Sequence, residues 1–247
     1  MLAEEAGIHL MEWTLDQDGL HENPLMTKEG RREIIELCRR HSLGIPSVTG
    51  DCFMQAPFWK AEGGARESLE KDFMAVLSAC AETGISMIVV PLVDNGRLEN
   101  VDQEDLLVDF LENLSGFLSE HGLRVIFESD FGPGDLGRFI ARLDPVLFGI
   151  NYDIGNSAAL GFDPSDEFDA YVHRIVNVHV KDRKLGGTTV PLGTGDADFD
   201  AAFSGLAAAR YRGNYILQTA RASDGDHGGV LSRYRDMTAD WLARHGA

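Results

Sequence analysis

The segment Val176-Asn177-Val178-His179-Val180-Lys181-Asp182 decides how the rest of the chain is interpreted. Its apolar residues recur at alternate positions, which predicts a buried β-strand that ends by presenting His179. A charged loop, residues 181–184, follows directly, as at the mouth of a pocket. Taken alone, the pattern does not distinguish a functional histidine at a pocket from a hydrogen-bonded core histidine that is followed by a solvated turn.

Three other segments end in the same way, on one polar side chain after a short run of β-branched and aromatic residues. They are residues 123–128, 148–153 and 214–218, which end on Glu128, Asp153 and Gln218. Parallel strands of a β/α barrel bring their carboxyl ends to one mouth, where such folds carry their chemistry. Two carboxylates, an imidazole and an amide oxygen suit a six-coordinate divalent ion. The sequence therefore predicts a metal site of Glu128, Asp153, His179 and Gln218.

The bulk composition excludes several classes of function. Of the 247 residues, 44% are hydrophobic and 25% are charged, which is typical of one large globular α/β domain. A net charge of −18 repels phosphate backbones and argues against nucleic-acid binding. The sequence has no apolar run of about 18 residues, which argues against a membrane span, and residues 1–5 do not resemble a signal peptide. The cysteines, Cys38, Cys52 and Cys80, include no CxxC pair and indicate reduced thiols in a cytoplasmic protein.

Helical and strand-like periods alternate along the chain, which predicts a parallel sheet with crossover helices. Strands are expected to end near residues 13, 48, 91, 128, 153, 181 and 218. A (β/α)8 TIM barrel has eight strands, so the first strand and most of the first helix are expected to be missing. Residues 2–6 are interpreted as the end of that helix, stopped at Gly7. Either the true start lies upstream of Met1 or the barrel is naturally open, and residues 1–247 form a single domain.

Short motifs at these strand ends resemble one family of enzymes. They are MEWTL at 11–15 with ENPL at 22–25, SVTGD at 47–51, the strand end at Glu128, DIGNS at 153–157, HVKDR at 179–183 and LQTAR at 217–221. Each motif is short, and their order and placement make the set specific. From about residue 7 to residue 243 the chain resembles the xylose isomerase-like TIM barrels, the sugar phosphate isomerase/epimerase group.

The resemblance implies a divalent metal bound by Glu, Asp, His and usually a second Glu from the last four strands. Glu128, Asp153 and His179 match the first three positions, and Gln218 stands where the second Glu is expected. An amide can ligate through its oxygen but does not take a proton near neutral pH. The two-glutamate mechanism of the family's epimerases therefore lacks one base here. Manganese is the first expectation for the metal, with magnesium, cobalt or zinc as alternatives.

The expected reaction is removal of a proton beside the carbonyl of a keto-sugar or sugar phosphate, which gives an enediolate that the ion stabilises. Glu128 is expected to bind the metal and to act as the base, which describes an isomerase or epimerase. If a second proton relay is needed, we expect it to be Glu12, Asp182 or His227.

Further residues are candidates for binding the substrate. Asn156 is expected to contact hydroxyls, and Lys181, Arg183 and Arg221 are expected to hold a phosphate or carboxylate. His227, in a predicted loop, joins this set. The alternatives are that Asn156 is a turn residue and that the basic residues are surface charges.

Two other functions remain open from the sequence. The loss of one base fits a dehydratase or another lyase acting on a keto-sugar-like substrate at least as well as an epimerase. A degenerate barrel could also serve as a non-catalytic partner subunit, since an unpaired sheet edge invites another chain. The expected partners are a small-molecule sugar or sugar phosphate and, by resemblance alone, a second copy in a homodimer; neither nucleic acid nor membrane is expected.

Overall fold

The computed structural model describes residues 5–246, which divide into two compact units. The N-terminal unit comprises residues 10–129 and 141–149, and the C-terminal unit comprises residues 5–9, 130–140 and 150–246. Seven strands belong to one sheet, in the order in which they occur in the chain. This strand count confirms the prediction. Of the helix end predicted at residues 2–6, residues 2–4 lie outside the described part of the chain.

The N-terminal unit alternates strands with helices. Its strands are β1 (Leu10–Thr14), β2 (Gly44–Thr49), β3 (Met87–Leu92) and β4 (Arg124–Ser129). Its helices are α1 (Lys28–His41), α2 (Asp51–Gln55), α3 (Gly63–Thr83), α4 (Val101–Asn113) and α5 (Ser115–His121), with 3-10 turns at Leu20–Glu22, Pro24–Met26, Phe58–Lys60 and Asp94–Gly96. The strands pair in parallel, so Glu12 lies opposite Ser47 and Glu128 lies opposite Pro91.

Local sequence explains most of these boundaries. The hydroxyl of Thr27 accepts a hydrogen bond from the Gly30 N–H at 3.1 Å, so Thr27 is the N-cap of α1. Residues 49–59 contain α2, and their aromatic side chains enter the core, where Phe58 packs 4.5 Å from Phe110 between ring centroids. The apolar residues around 107–118 belong to two helices, α4 and α5, which meet at Leu114.

The C-terminal unit carries the remaining strands. They are β5 (Phe148–Asp153, of which residues 150–153 belong to this unit), β6 (Ile175–Val180) and β7 (Asn214–Leu217). The helices are α6 (Pro133–Ile140), α7 (Ile154–Leu160), α8 (Pro164–Tyr171), α9 (Phe199–Ala208) and α10 (His227–His245), with a 3-10 turn at Val172–Arg174. Phe199 stacks on Trp241 with 4.3 Å between ring centroids, which joins α9 to α10. Parallel pairing sets Asp153 opposite His179 and Val180 opposite Leu217.

The structure also describes the state of the cysteines and the character of the helices. All three cysteines are free thiols, and burial raises the pKa of both Cys52 and Cys80 to about 12, so these two thiols are unreactive near neutral pH. Across residues 5–246, no helix has the combination of length and apolarity that a membrane crossing requires.

Candidate active site

Asp153 and His179 form the centre of the polar cluster in the C-terminal unit. They are register partners at the ends of β5 and β6, and both are buried. The Oδ2 atom of Asp153 lies 3.7 Å from Nδ1 of His179, while Oδ1 accepts a hydrogen bond from the Asn156 N–H at 2.8 Å and so caps α7. Burial raises the pKa of Asp153, but the neighbouring imidazole of His179 and the positive charge of Lys181 outweigh it, and the pKa is lowered overall. The carboxylate is therefore ionised at neutral pH.

Two asparagines that were not predicted from the sequence as site residues orient the histidine. Asn151 Nδ2 lies 3.1 Å from His179 Nδ1, and Asn151 Oδ1 accepts a hydrogen bond from Asn177 Nδ2 at 2.8 Å. Because its oxygen is engaged by Asn177, the Asn151 side chain presents its N–H to the imidazole. Both asparagines lie two residues before a site residue and hence on the same face of their strands. This spacing of two residues along a strand is the feature of the sequence from which their contact with the site could have been predicted.

Lys181 and Gln218 follow β6 and β7 and meet beside Asp153. The ammonium Nζ of Lys181 donates to Asp153 Oδ2 at 3.2 Å and to Gln218 Oε1 at 2.8 Å. The backbone fixes this meeting, since the Gln218 N–H donates to the Val180 carbonyl at 3.2 Å. Lys181 and Gln218, which the sequence placed in separate roles, thus lie together in the C-terminal unit, joined by one direct hydrogen bond.

Arg183 and Asn156 are also brought together. Arg183 Nη1 donates to Asn156 Oδ1 at 2.7 Å, and its Nε and Nη2 donate to the Gly187 carbonyl at 3.1 and 2.6 Å. Three donors of the guanidinium are therefore used to join the start of α7 to the glycine-containing loop after β6.

Asp182 serves that same loop. Its Oδ2 accepts hydrogen bonds from the Gly193 and Gly195 N–H groups at 2.9 and 2.7 Å, and Oδ1 accepts one from the Ala197 N–H at 3.3 Å. The side chain is buried, with 1% exposure. Three backbone donors thus hold the carboxylate that was predicted as a proton relay.

The remaining C-terminal candidates lie at the surface. Arg221 and His227 are both exposed. His227 is the first residue of α10, where the prediction had a loop, and the carboxylate of Asp226 caps this helix by accepting from the Gly229 N–H at 2.9 Å.

The N-terminal unit holds the other two candidate carboxylates. Glu12, in β1, is half-buried and accepts hydrogen bonds from the hydroxyls of Ser47 and Thr49, each at 2.5 Å. Both hydroxyls come from β2 and are buried. Glu128 is buried near the end of β4, one residue before that strand ends at Ser129.

Comparison with known proteins decides the family. A family model described as "Xylose isomerase-like TIM barrel" matches residues 1–240. The chain belongs to this family. The fold prediction is therefore confirmed: this xylose isomerase-like chain is a TIM-barrel protein, with seven parallel strands within residues 5–246.

Curated relatives of this xylose isomerase-like protein cover part of its length. An inosose dehydratase of Geobacillus thermodenitrificans is 27% identical over 152 residues, which are 52% of this chain and 51% of that protein. An inosose dehydratase of Clostridium botulinum is 27% identical over 189 residues, or 62% of this chain and 63% of that one. The chain thus spans between half and two thirds of the length of these relatives.

Solved structures agree with the family on the fold. A xylose isomerase domain protein from Planctomyces limnophilus has a TM-score of 0.81 at 17% identity, with coverage of 99% of this chain and 92% of that one. The IOLI protein, solved with a zinc atom, has a TM-score of 0.79 at 17% identity and coverage of 99% and 91%. The 3-keto-D-glucoside 4-epimerase of E. coli has a TM-score of 0.71 at 19% identity and coverage of 94% and 91%. At these identities the likeness concerns the fold alone.

Proposed function

We propose that this chain is a divalent-metal-dependent enzyme that removes a proton beside the carbonyl of an uncharged keto-polyol and then expels water, that is, a dehydratase. The observation that carries the proposal is the cluster at the ends of β5, β6 and β7, where Asp153 and His179 lie side by side and Lys181 bonds to both Asp153 and Gln218. Membership of the xylose isomerase-like family supports an enzyme rather than a partner subunit.

For the metal we propose Glu128, Asp153 and His179 as ligands. Each is buried and offers one ligand atom, and they come from three consecutive strands of the sheet. Two carboxylates and an imidazole suit Mn²⁺, our first candidate, as well as Mg²⁺, Co²⁺ or Zn²⁺; a zinc atom in the similarly folded IOLI protein supports a divalent ion in general. When bound, such an ion polarises a carbonyl and lowers the cost of removing a proton from the neighbouring carbon.

The protein's own groups then move the proton. In the proposed reaction, the Glu128 carboxylate takes the proton from the carbon beside the carbonyl, and that electron pair forms an enediolate. The enediolate then re-forms its carbonyl, and its electron pair makes a C=C bond as the C–O bond one carbon further on breaks. The departing hydroxyl leaves as water with the proton that Glu128 removed. One base and one proton donor suffice for this sequence.

Gln218 supports dehydration over epimerisation. An epimerase that works on both faces of a carbon needs two groups that exchange protons, and an amide does not do so near neutral pH. The curated relatives named inosose dehydratase also support dehydration.

An isomerase or epimerase is the second candidate, because Glu12 is a half-buried carboxylate in β1 that could replace the missing base. Asp182 and His227 stay weaker candidates for the relay, the first bound by loop amides and the second exposed.

The basic residues support an uncharged substrate. Arg183 spends three donors on Asn156 and Gly187, and the charge of Lys181 is balanced by Asp153. Arg221 lies exposed at the surface. Because the two basic residues of the cluster, Lys181 and Arg183, are already engaged in this way, neither offers the free bidentate group that recognises a phosphate well, and we propose a neutral sugar or polyol rather than a sugar phosphate.

The test is incubation of the Mn²⁺-loaded protein in D2O with an inosose, a ring ketone of inositol, and separately with D-fructose and its phosphates. Dehydration gives a product lighter by one water, whereas epimerisation gives an isomer that carries solvent deuterium. Glu128→Gln should abolish either reaction. Metal analysis of the wild type and of His179→Ala accompanies the assay: a wild type that takes up no divalent metal contradicts the proposal and favours the partner-subunit alternative. Turnover of phosphorylated substrates alone would contradict the uncharged substrate.

A further inference from the structure

The orientation of the Gln218 side chain is determined by its neighbour. An ammonium group has three N–H donors and no acceptor. Because Lys181 Nζ lies 2.8 Å from Gln218 Oε1, the amide oxygen must face the lysine. The acceptor atom of Gln218, the only atom through which this side chain would bind a hard cation, is thus already bonded to a positive charge.

Lys181 is held in place by more than this bond. Its side chain is 14% exposed, and Nζ also donates to Asp153 Oδ2 at 3.2 Å. Gly155, at the start of α7, makes room for the lysine: a β-carbon on Gly155 would lie 2.8 Å from Lys181 Cγ and 2.9 Å from its carbonyl carbon and oxygen. The stem, the charge and the terminal donors of Lys181 are therefore all positioned by neighbours in the same unit.

We infer that Gln218 is not a metal ligand, and that it instead fixes the ammonium of Lys181 beside Asp153 to bind an oxygen of the substrate. This inference rests on the proposed metal site. A divalent ion and an ammonium that shared one neutral amide oxygen would repel each other at short range, whereas the Asp153 carboxylate, which also accepts from Lys181, carries a negative charge that attracts both cations. The oxygen that already accepts from Lys181 is consequently a poor fourth ligand.

The arrangement also gives Lys181 a specific task. Asp153 and Gln218 use two of its three N–H donors, which leaves one for a hydroxyl or carbonyl oxygen of a neutral substrate. Lys181 is then a specificity-determining residue of the proposed reaction, and Gln218 is a positioning residue that acts through it. An acceptor oxygen on Gln218 is sufficient for this task, whereas a proton-accepting carboxylate is unnecessary.

The experiment is a titration of the metal-free protein with Co²⁺, followed by visible absorption and calorimetry, for the wild type, Gln218→Ala, His179→Ala and Lys181→Met. Circular dichroism and thermal unfolding establish that each variant is folded. We expect Gln218→Ala to bind Co²⁺ within about threefold of the wild-type Kd and with the same spectrum, because no ligand is lost. Lys181→Met should bind the ion about tenfold more tightly, since a nearby positive charge is removed.

The outcomes separate this inference from the proposed function. If His179→Ala and Gln218→Ala both lose the Co²⁺ spectrum, the metal site stands and the inference is overturned. If the wild type binds no Co²⁺, both fall together. If the proposed turnover is detected, Lys181→Met should lower kcat/KM about 10- to 100-fold, the usual effect of losing a hydrogen bond from a charged group, while Lys181→Arg should recover part of it; an unchanged kcat/KM in Lys181→Met overturns the substrate-binding role.

Discussion

Asp182 and Gly195 lie so close together that no other residue fits at position 195. The Gly195 N–H donates to Asp182 Oδ2 at 2.7 Å, and a β-carbon on Gly195 would lie 1.9 Å from Asp182 Oδ1. The loop that follows β6 is therefore folded back onto its own first residues by a buried carboxylate. This contact suggests that Asp182 maintains the shape of the loop rather than transferring protons.

Replacement of Asp182 by Asn tests that role. The amide keeps the shape of the carboxylate but turns one acceptor oxygen into a donor that faces backbone N–H groups. We expect the free energy of unfolding to fall by about 1.5–3 kcal/mol, the scale of a hydrogen bond to a charged group, as measured by urea titration. Asp18→Asn is the matched control, because Asp18 is exposed and the change in charge is the same. A variant with wild-type stability and strongly reduced turnover would instead identify Asp182 as the relay.

A second prediction concerns Gly155, whose lack of a side chain makes room for Lys181. Gly155→Ala places a methyl group against the backbone and Cγ of Lys181, so we expect a loss of about 1–3 kcal/mol in the free energy of unfolding from overpacking. Gly134→Ala is the control, since a β-carbon at that helical position in α6 has no atom within 4 Å and alanine favours the helix. Equal stabilities for the two variants would contradict the close approach of Lys181.

Much of the fold was predictable because the relevant information is local. Strand ends were predicted near residues 128, 153 and 181, and β4, β5 and β6 end at 129, 153 and 180. Alternation of apolar residues and the polar residue that ends each run depend only on neighbours in the chain. The pairing of Asp153 with His179 followed from this, because parallel strands in sequence order align their ends.

The contacts that could not be predicted from the sequence are hydrogen bonds between residues of different strands and loops. The bond between Lys181 and Gln218 needs a lysine stem long enough to reach the next strand, and charge alone suggested a phosphate site instead. Asp182 bonds to residues 11 to 15 positions further along, a distance that no motif encodes. Asn151, by contrast, was predictable from its period-two spacing before Asp153 and was overlooked.

Glu167 predicts a pH dependence of stability. This buried carboxylate accepts hydrogen bonds from Ser157 at 2.5 Å, Tyr171 at 2.6 Å and Tyr152 at 3.0 Å. Burial raises its pKa above the ordinary value of 4.5, and the three hydroxyls lower it only in part. A group with a raised pKa in the folded state contributes stability that is fully present below its unfolded pKa and is lost as the pH rises through the folded pKa.

The measurement compares urea unfolding of the wild type and Glu167→Gln at several pH values between 4 and about 8. We expect the stability of the wild type relative to the variant to decrease as the pH rises above about 4.5, because only the wild type must then bury a charge. Glu120→Gln, at an exposed position, should show no such trend. A relative stability that increases with pH would show that the three hydroxyls outweigh burial.

Asn151 should matter for metal affinity although it is not proposed as a ligand. Its amide faces His179 Nδ1 at 3.1 Å and is itself held by Asn177, so it fixes the orientation of the imidazole. Loss of such an outer partner typically weakens metal binding about 10- to 100-fold, and we expect this for Asn151→Leu in a Mn²⁺ titration. Asn177→Leu, one step further from the ring, should weaken binding less. If Asn151→Leu binds Mn²⁺ as tightly as the wild type while remaining folded, the orientation of His179 does not depend on this chain of amides, and the packing around β5 and β6 alone holds the ring.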